Sequence, residues 1–170
     1  SGLDVLKYNI NRKKNNLKLF EVGKEYHKSD DGKYVEIEKL ALFICGFKND
    51  NHWNTLEKKS DYFFLKGIIK SITDRLGFSN VKSKPITSDN ISDGETIFYN
   101  KSEILSFGLI SKDVCEYFDI NEKVLYAEID VKTVLDKYSI KPVQFKSISK
   151  FPEVNRDLSI LIDDDLNFDK

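Results

Sequence analysis

Ser29-Asp30-Asp31-Gly32 separates two runs rich in apolar residues, Leu17 to Tyr26 and Tyr34 to Phe47. Asp-Gly is a strong hairpin signal because both residues tolerate the positive φ of a tight turn. Two long strands joined so closely must be antiparallel, since parallel strands need a crossover connection. Along the first run, Leu17, Leu19, Glu21, Gly23 and Glu25 share one parity, and Lys18, Phe20, Val22, Lys24 and Tyr26 share the other. Apolar residues on both parities predict an interior strand, partly buried on each side.

The remaining segments follow from spacing. Leu3, Leu6, Ile10 and Lys14 fall near helical period, predicting a helix over Gly2 to Lys14 with Arg12, Lys13 and Lys14 at its negative end. Ser60-Asp61 predicts a cap before a helix over Tyr62 to Leu76, with Gly77 as its stop. Phe64, Ile68, Ile72 and Leu76 would form its buried stripe. Ser79 to Gly94 reads as loop with one edge strand. Glu95 to Tyr99 and Ile104 to Ile110 read as strands joined by the longer loop Asn100 to Glu103. Ser111 is positioned to cap a short helix, Lys123 to Val131 is a further strand, and Lys132 to Tyr138 a brief helix. Composition shifts at Ser139 to Pro142, and two more strands are expected at Gln144 to Ile148 and Arg156 to Ile162. Mostly antiparallel strands with helices at intervals make the fold class α+β.

Chemistry is narrowed mainly by elimination. Net charge is −1, from 27 basic and 28 acidic residues, which argues against a free-standing non-specific nucleic-acid binder. Mean hydropathy is −0.43, and no unbroken apolar run reaches membrane-spanning length, so no membrane partner is expected. The two cysteines, Cys45 and Cys115, lie in apolar contexts that suit a reducing compartment and a packing role. With His27 and His52 they are the whole supply of soft ligands, without a C-x-x-C pair, and no metal site is expected. Neither common phosphate-binding loop occurs. The absence of Met points to a piece of a longer chain.

One segment is more specific. Phe20-Glu21-Val22-Gly23-Lys24-Glu25-Tyr26-His27 resembles the second signature motif of class II aminoacyl-tRNA synthetases, F-E-[IV]-G-x-x-[FY]-R-x-E. In that motif the Arg grips the ATP α-phosphate and the amino-acid carboxylate. A guanidinium is permanently charged and forks onto oxyanions, which an imidazole cannot imitate at neutral pH. His27 occupies the Arg position here and Ser29 the acid position. The third class II motif, a G-x-G-x-G strand running into an Arg, has no counterpart: no two glycines are spaced by two, and the arginines are Arg12, Arg75 and Arg156. Phe20, Glu21, Gly23, Tyr26 and His27 therefore read as a vestigial motif, with no catalytic residue assigned.

Further stretches resemble the beta subunit of bacterial phenylalanyl-tRNA synthetases. Gly2-Leu3 with Tyr8-Asn9 and Asn11-Arg12 is similar to the family's "G-L-L…Y-N…R" helix. Trp53-Asn54 and Asp61 to Gly67 resemble "W…DFFDLKG", and Val124 to Asp130 resembles "V-Y-x-x-E-[LI]-D". Ser149 to Ser159 resembles "SKFPAVRRDLS". The "HPGRSA" and "GxLHP" stretches of many members are absent around Thr96 to Ser102 and after Gly108.

The resemblance implies a class II aminoacyl-tRNA synthetase-like antiparallel sheet flanked by helices. Residues 1–140 would be a non-catalytic core, and 141–170 a linker and the start of a ferredoxin-like anticodon-binding domain. It implies a cytoplasmic scaffold docking a catalytic alpha subunit in an alpha2beta2 assembly that charges tRNA-Phe. ATP and Mg2+ would serve that holoenzyme, with no cofactor in this portion; editing belongs to another domain. Leu3, Leu6 and Ile10 would line a subunit-interface helix or an ordinary core-facing one. Arg12, Lys13 and Lys14, with Lys58, Lys59, Lys82 and Lys84, would touch tRNA phosphates or simply be solvated. The alternatives are an active small class II-like ligase and a free-standing tRNA-binding module.

Overall fold

The computed structural model describes residues 2–29, 31–49, 57–86, 88–138 and 156–159. Chain order is α1 (Gly2–Ile10), β1 (Leu17–Lys28), β2 (Tyr34–Cys45), α2 (Tyr62–Arg75), β3 (Lys82–Ile86), β4 (Ile91–Tyr99), β5 (Ser102–Ile110), α3 (Lys112–Tyr117), β6 (Val124–Asp130) and α4 (Val131–Lys137). The strands form one six-stranded sheet in the order β1-β2-β6-β5-β4-β3. Every pairing is antiparallel. The last of the described strands, β6, is inserted between β2 and β5 and ties the first hairpin to the β3–β5 meander.

The alternation of β6 defines two layers, because successive side chains leave a strand on opposite faces. Leu125, Ala127 and Ile129 join Phe107 and Leu105 against Leu65 and Ile69 of α2 and Val134 of α4. On the other face, Val124 joins Phe43, Cys45 and Ile110 against Leu6 of α1 and Cys115 of α3. Phe107, Leu6, Leu65, Ile104, Val124 and Cys45 are the largest fully buried side chains.

Helix α2 starts where its capping residue predicts. The Asp61 carboxylate accepts from the Phe64 N–H at 2.8 Å and is also bonded to the Lys48 ammonium, which holds it below the usual carboxylate range. The helix ends in a Schellman cap: Phe78 N–H bonds Thr73 O and Gly77 N–H bonds Asp74 O, with Gly77 at φ +75°. Its buried stripe differs from the expected one. Leu65, Ile69 and Thr73 are buried, whereas Phe64, Ile68, Ile72 and Leu76 are half-buried beside them. The apolar arc is wide enough for two adjacent stripes, and stacking of Tyr62 on Phe107, 5.6 Å between ring centres, centres the helix on the other one.

Four further expectations are corrected. Among the described residues, strand β1 pairs only with β2 and is an edge strand, with Phe20 74% and Tyr26 66% exposed. Apolar residues on both parities are compatible with burial but do not supply a neighbouring strand. Helix α1 stops at Ile10, and Arg12 to Lys14 form its cap, with Lys13 at φ +61° and Lys14 N–H bonded to Asn9 O at 3.1 Å. β4 and β5 are joined by the two-residue turn Asn100-Lys101, both at positive φ, instead of a four-residue loop. Ser111 sits at the start of α3 but donates its hydroxyl to Asp89 O at 2.7 Å, tying down the 88–90 loop instead of capping the helix.

Residues 156–159 carry no regular structure. The strand expected at Gln144 to Ile148, the remainder of the one at Arg156 to Ile162, and the boundary at 140/141 lie outside the described residues, as do Asp30, His52, Trp53 and Asn54. No helix among the described residues is long and apolar enough to cross a membrane.

Candidate functional site

The β1–β2 hairpin is longer than the sheet that supports it. β2 pairs with β1 from Tyr34 to Cys45 but with β6 only from Lys39. The distal ribbon, including Tyr26, His27 and Tyr34, extends beyond the sheet into solvent.

Register divides the motif-like residues between the faces. Phe20, Val22 and Tyr26 lie opposite Leu42, Leu40 and Glu36; Glu21, Gly23 and His27 lie opposite Ala41, Lys39 and Val35. The second set shares its face with Tyr126, Glu128 and Asp130, because Lys39 pairs with Asp130 and Ala41 with Glu128. The sequence segment therefore yields two surfaces: an exposed apolar strip and one edge of a concave polar face.

The concave face is dominated by carboxylates. The Tyr126 hydroxyl donates to Glu128 Oε2 at 2.7 Å. Burial, followed by that hydrogen bond and the charges of Glu128, Glu25 and Glu21, pushes the phenol well above its ordinary pKa. Lys39 Nζ lies 3.1 Å from Glu128 and 3.9 Å from Asp130. Burial works against its charge, but the hydrogen bond to Glu128 and the attraction of Glu128 and Asp130 prevail and raise its pKa. His27 Nε2 is 3.2 Å from Glu25 Oε2, on an exposed part of the ribbon. The strands that form this face, β1, β2, β6 and β5, carry no arginine, and Arg75 ends α2 on the opposite layer.

A cavity of about 770 Å³ opens between this face, α1, α3 and the 88–90 loop. Phe43, Tyr126, Phe118 and Leu3 give it apolar walls, while Asp89, Asp113 and Glu128 bring carboxylates to it. Gly2 is essential to its end wall, since a Cβ there would lie 2.2 Å from the Phe43 ring.

Other predicted residues are placed apart. Leu6 is fully buried and Leu3 and Ile10 pack partly against the same core, so all three face this chain's own sheet; Val5 and Tyr8 are the apolar residues α1 leaves exposed. Arg12 stacks on the Tyr8 ring at 3.5 Å and donates to Tyr8 O. Lys82 and Lys84 are on β3, the sheet edge opposite β1, and Lys59 pairs with Glu122 at 3.5 Å. The basic residues do not form one patch.

The thiols are unsuited to nucleophilic work. Burial pushes Cys45 up to about 11, and Cys115 is also raised by burial. Cys45 pairs with Leu17 at one end of the hairpin and His27 with Val35 near the other. Ten residues of strand separate their ends by about 33 Å. No group of three or more metal-ligating side chains occurs among the described residues.

The sequence placed Tyr126, Glu128 and Asp130 in a family-like strand but assigned neither them nor Lys39 to a site. The alternation of Tyr126 and Glu128 with Leu125 and Ala127 was visible, but only the pairing of β6 with β2 brings these residues beside Lys39. It also missed the pair across the other layer, where Glu95 accepts from Tyr62 Oη and, at 2.8 Å, from Lys66 Nζ.

A family profile described as "Phenylalanyl tRNA synthetase beta chain CLM domain" matches residues 1–131. The chain belongs to the phenylalanyl-tRNA synthetase beta-chain family. The beta subunit of phenylalanine–tRNA ligase from Bacteroides thetaiotaomicron is 32% identical over 178 residues, covering 98% of this chain and 22% of that protein. The beta subunit from Fusobacterium nucleatum is 34% identical over 166 residues, covering 93% of this chain and 20% of that protein. The chain thus spans about a fifth of the length of these beta-chain relatives and is a fragment of such a subunit. A solved pyrrolysyl-tRNA synthetase from Desulfitobacterium hafniense shares the fold, with a TM-score of 0.58 at 14% identity over 78% of this chain and 45% of that one. The beta-chain assignment agrees with the family that the sequence stretches between Gly2 and Asp130 resemble.

Proposed function

We propose that this part of the beta chain is a synthetase-like domain without a reaction of its own, serving as a scaffold for a catalytic alpha subunit. The full assembly, alpha2beta2 in this reading, would join phenylalanine to tRNA-Phe with ATP and Mg2+ in the cytoplasm. The observation that carries the proposal is the charge of the concave face. Glu21, Glu25, Glu128 and Asp130 stand there around the Lys39 ammonium, which is engaged by Glu128 and Asp130. Phosphoryl activation needs fixed positive groups where negative charge develops, and these carboxylates oppose it.

The strand that runs directly into a helix, as a third class II motif requires, is β6 into α4. It carries Tyr126, Glu128 and Asp130 in place of alternating glycines, and α4 contains no arginine. Bulky side chains therefore occupy the floor that glycines would leave open.

The docking surface in this reading is the outer strip of the first hairpin. Phe20, Val22, Tyr26 and Tyr34 are 57–77% exposed on one face of an edge strand pair. Large apolar side chains grouped this way mark interaction surfaces. The role expected of Leu3, Leu6 and Ile10 passes to Val5 and Tyr8 beside them, since the former are engaged internally. Domain boundaries at 140/141, and contacts of Arg12, Lys13 and Lys14 with tRNA, remain part of this proposal.

Co-expression with the alpha subunit tests it. The chain is expected to co-purify with alpha, and Phe20→Asp with Tyr26→Asp to break the complex while leaving the melting temperature of the chain unchanged. Amino acid-dependent ATP–pyrophosphate exchange by the chain alone should be absent. Exchange above background, or failure to associate with alpha, overturns the scaffold reading. Tight salt-sensitive tRNA binding by the chain alone would favour a tRNA-binding module, which the scattered basic residues disfavour.

A further inference from the structure

We propose that the cavity between α1, α3 and the concave face binds a primary arylalkylamine, an aromatic ring carrying an ammonium and no carboxylate. The inference rests on the cavity's own chemistry and is independent of docking to an alpha subunit. At about 770 Å³ it falls within the size range of small-molecule pockets.

Its polar groups select the sign of the ligand. Glu128, Asp89 and Asp113 contribute to the lining, and no lysine or arginine does among the described residues. Lys39 balances Glu128 from outside that lining. Asp89 and Asp113 have no ion-pair partner among the described residues. Tyr126 gives its hydroxyl hydrogen to Glu128, so its oxygen is left with acceptor capacity. A ligand must therefore bring donors and positive charge. A carboxylate or phosphate would meet like charge at Glu128, Asp89 and Asp113, which sets this pocket apart from one built for an amino acid or a nucleotide.

Its walls select the body. Phe43 and Tyr126 lie with ring centres 5.1 Å apart and tilted by 50°, forming one aromatic wall, and Phe118 lines the cavity as well. Aromatic rings pack against such walls in tilted or offset geometry, and an ammonium held over a ring face is attracted by its quadrupole. Ser106 lies opposite Glu128 on β5 and lines the same cavity, leaving space where a larger residue would fill it.

Calorimetric titration of the full chain with phenethylamine, 3-phenylpropanoate and L-phenylalanine tests this. Phenethylamine should bind with millimolar or tighter affinity, at least about tenfold better than either carboxylate-bearing probe. Asp89→Asn with Asp113→Asn should weaken phenethylamine about tenfold, and Ser106→Phe should abolish its binding, with melting curves confirming the fold. Asp113 is exposed, so the asparagine pair decides the matter if the filling variant fails to fold. Equal binding of 3-phenylpropanoate, binding unaffected by the asparagine pair, persistence in a folded Ser106→Phe chain, or no binding of phenethylamine at about 10 mM overturns the proposal.

Discussion

The Tyr126 hydroxyl is bonded to Glu128 Oε2 at 2.7 Å, two residues further along the same strand. Side chains at i and i+2 share a sheet face, so a central strand fixes both groups without a turn or a second element. The phenol pKa is raised by burial first and by Glu128 second, which means that the folded chain resists losing this proton. Relative to an unfolded tyrosine near pKa 10, the stabilisation is complete below about pH 10 and is lost as pH rises toward the folded value. Tyr126→Phe should flatten the alkaline limb of stability and cost about 1 kcal/mol at neutral pH from the lost hydrogen bond. Denaturant melts between pH 8 and about pH 11 read both effects.

Glu95 gives the opposite pH dependence on the other layer. Burial disfavours its charge, but the hydrogen bonds from Lys66 and Tyr62 outweigh burial and lower its pKa below 4.5. The stabilisation is therefore present above the unfolded value and disappears as pH falls through the folded one. Glu95→Gln should reduce stability by about 2–4 kcal/mol at pH 7, because it strands Lys66 beside a half-buried site, and should reduce the difference from the parent below pH 4. Equal destabilisation at pH 7 and pH 3 would contradict the ion-pair account.

Gly46 closes the path from β2 to α2 at a position with no room for a side chain. Its φ is +90°, and a Cβ there would lie 2.4 Å from Asn15 O. Cys45 Sγ donates to the same carbonyl at 3.0 Å. Gly46→Ala combines an unfavourable φ with a backbone clash and should cost about 1–3 kcal/mol or more, read as a lower denaturation midpoint at unchanged slope.

Restoring the missing guanidinium should not restore chemistry. His27→Arg places a fixed cation on the ribbon beside Glu25, yet leaves Tyr126 and Glu128 across the floor of the face. ATP–pyrophosphate exchange with phenylalanine is expected to stay at background, and the melting temperature to shift by the equivalent of less than about 0.5 kcal/mol, as for an exposed substitution. Measurable exchange would show that one residue was the whole defect.

The sequence by itself determined what is local. The first hairpin followed from turn chemistry at Asp31-Gly32, the cap and stop of α2 from Asp61 and Gly77, and the alternation of β6 from period-two spacing. The motif-like residues from Phe20 to His27, and the cation lacking at His27, were also visible there. Tertiary structure decided what depends on neighbours distant in sequence. Insertion of β6 beside β2 brought Glu128 to Lys39 and made the acidic face, while the edge position of β1 among the described strands left Phe20 and Tyr26 exposed. Rotation of α2 about its own axis chose Leu65 and Ile69 over Ile68 and Ile72. Local spacing limits which faces are apolar, but which face is covered is set by packing between elements far apart in the chain.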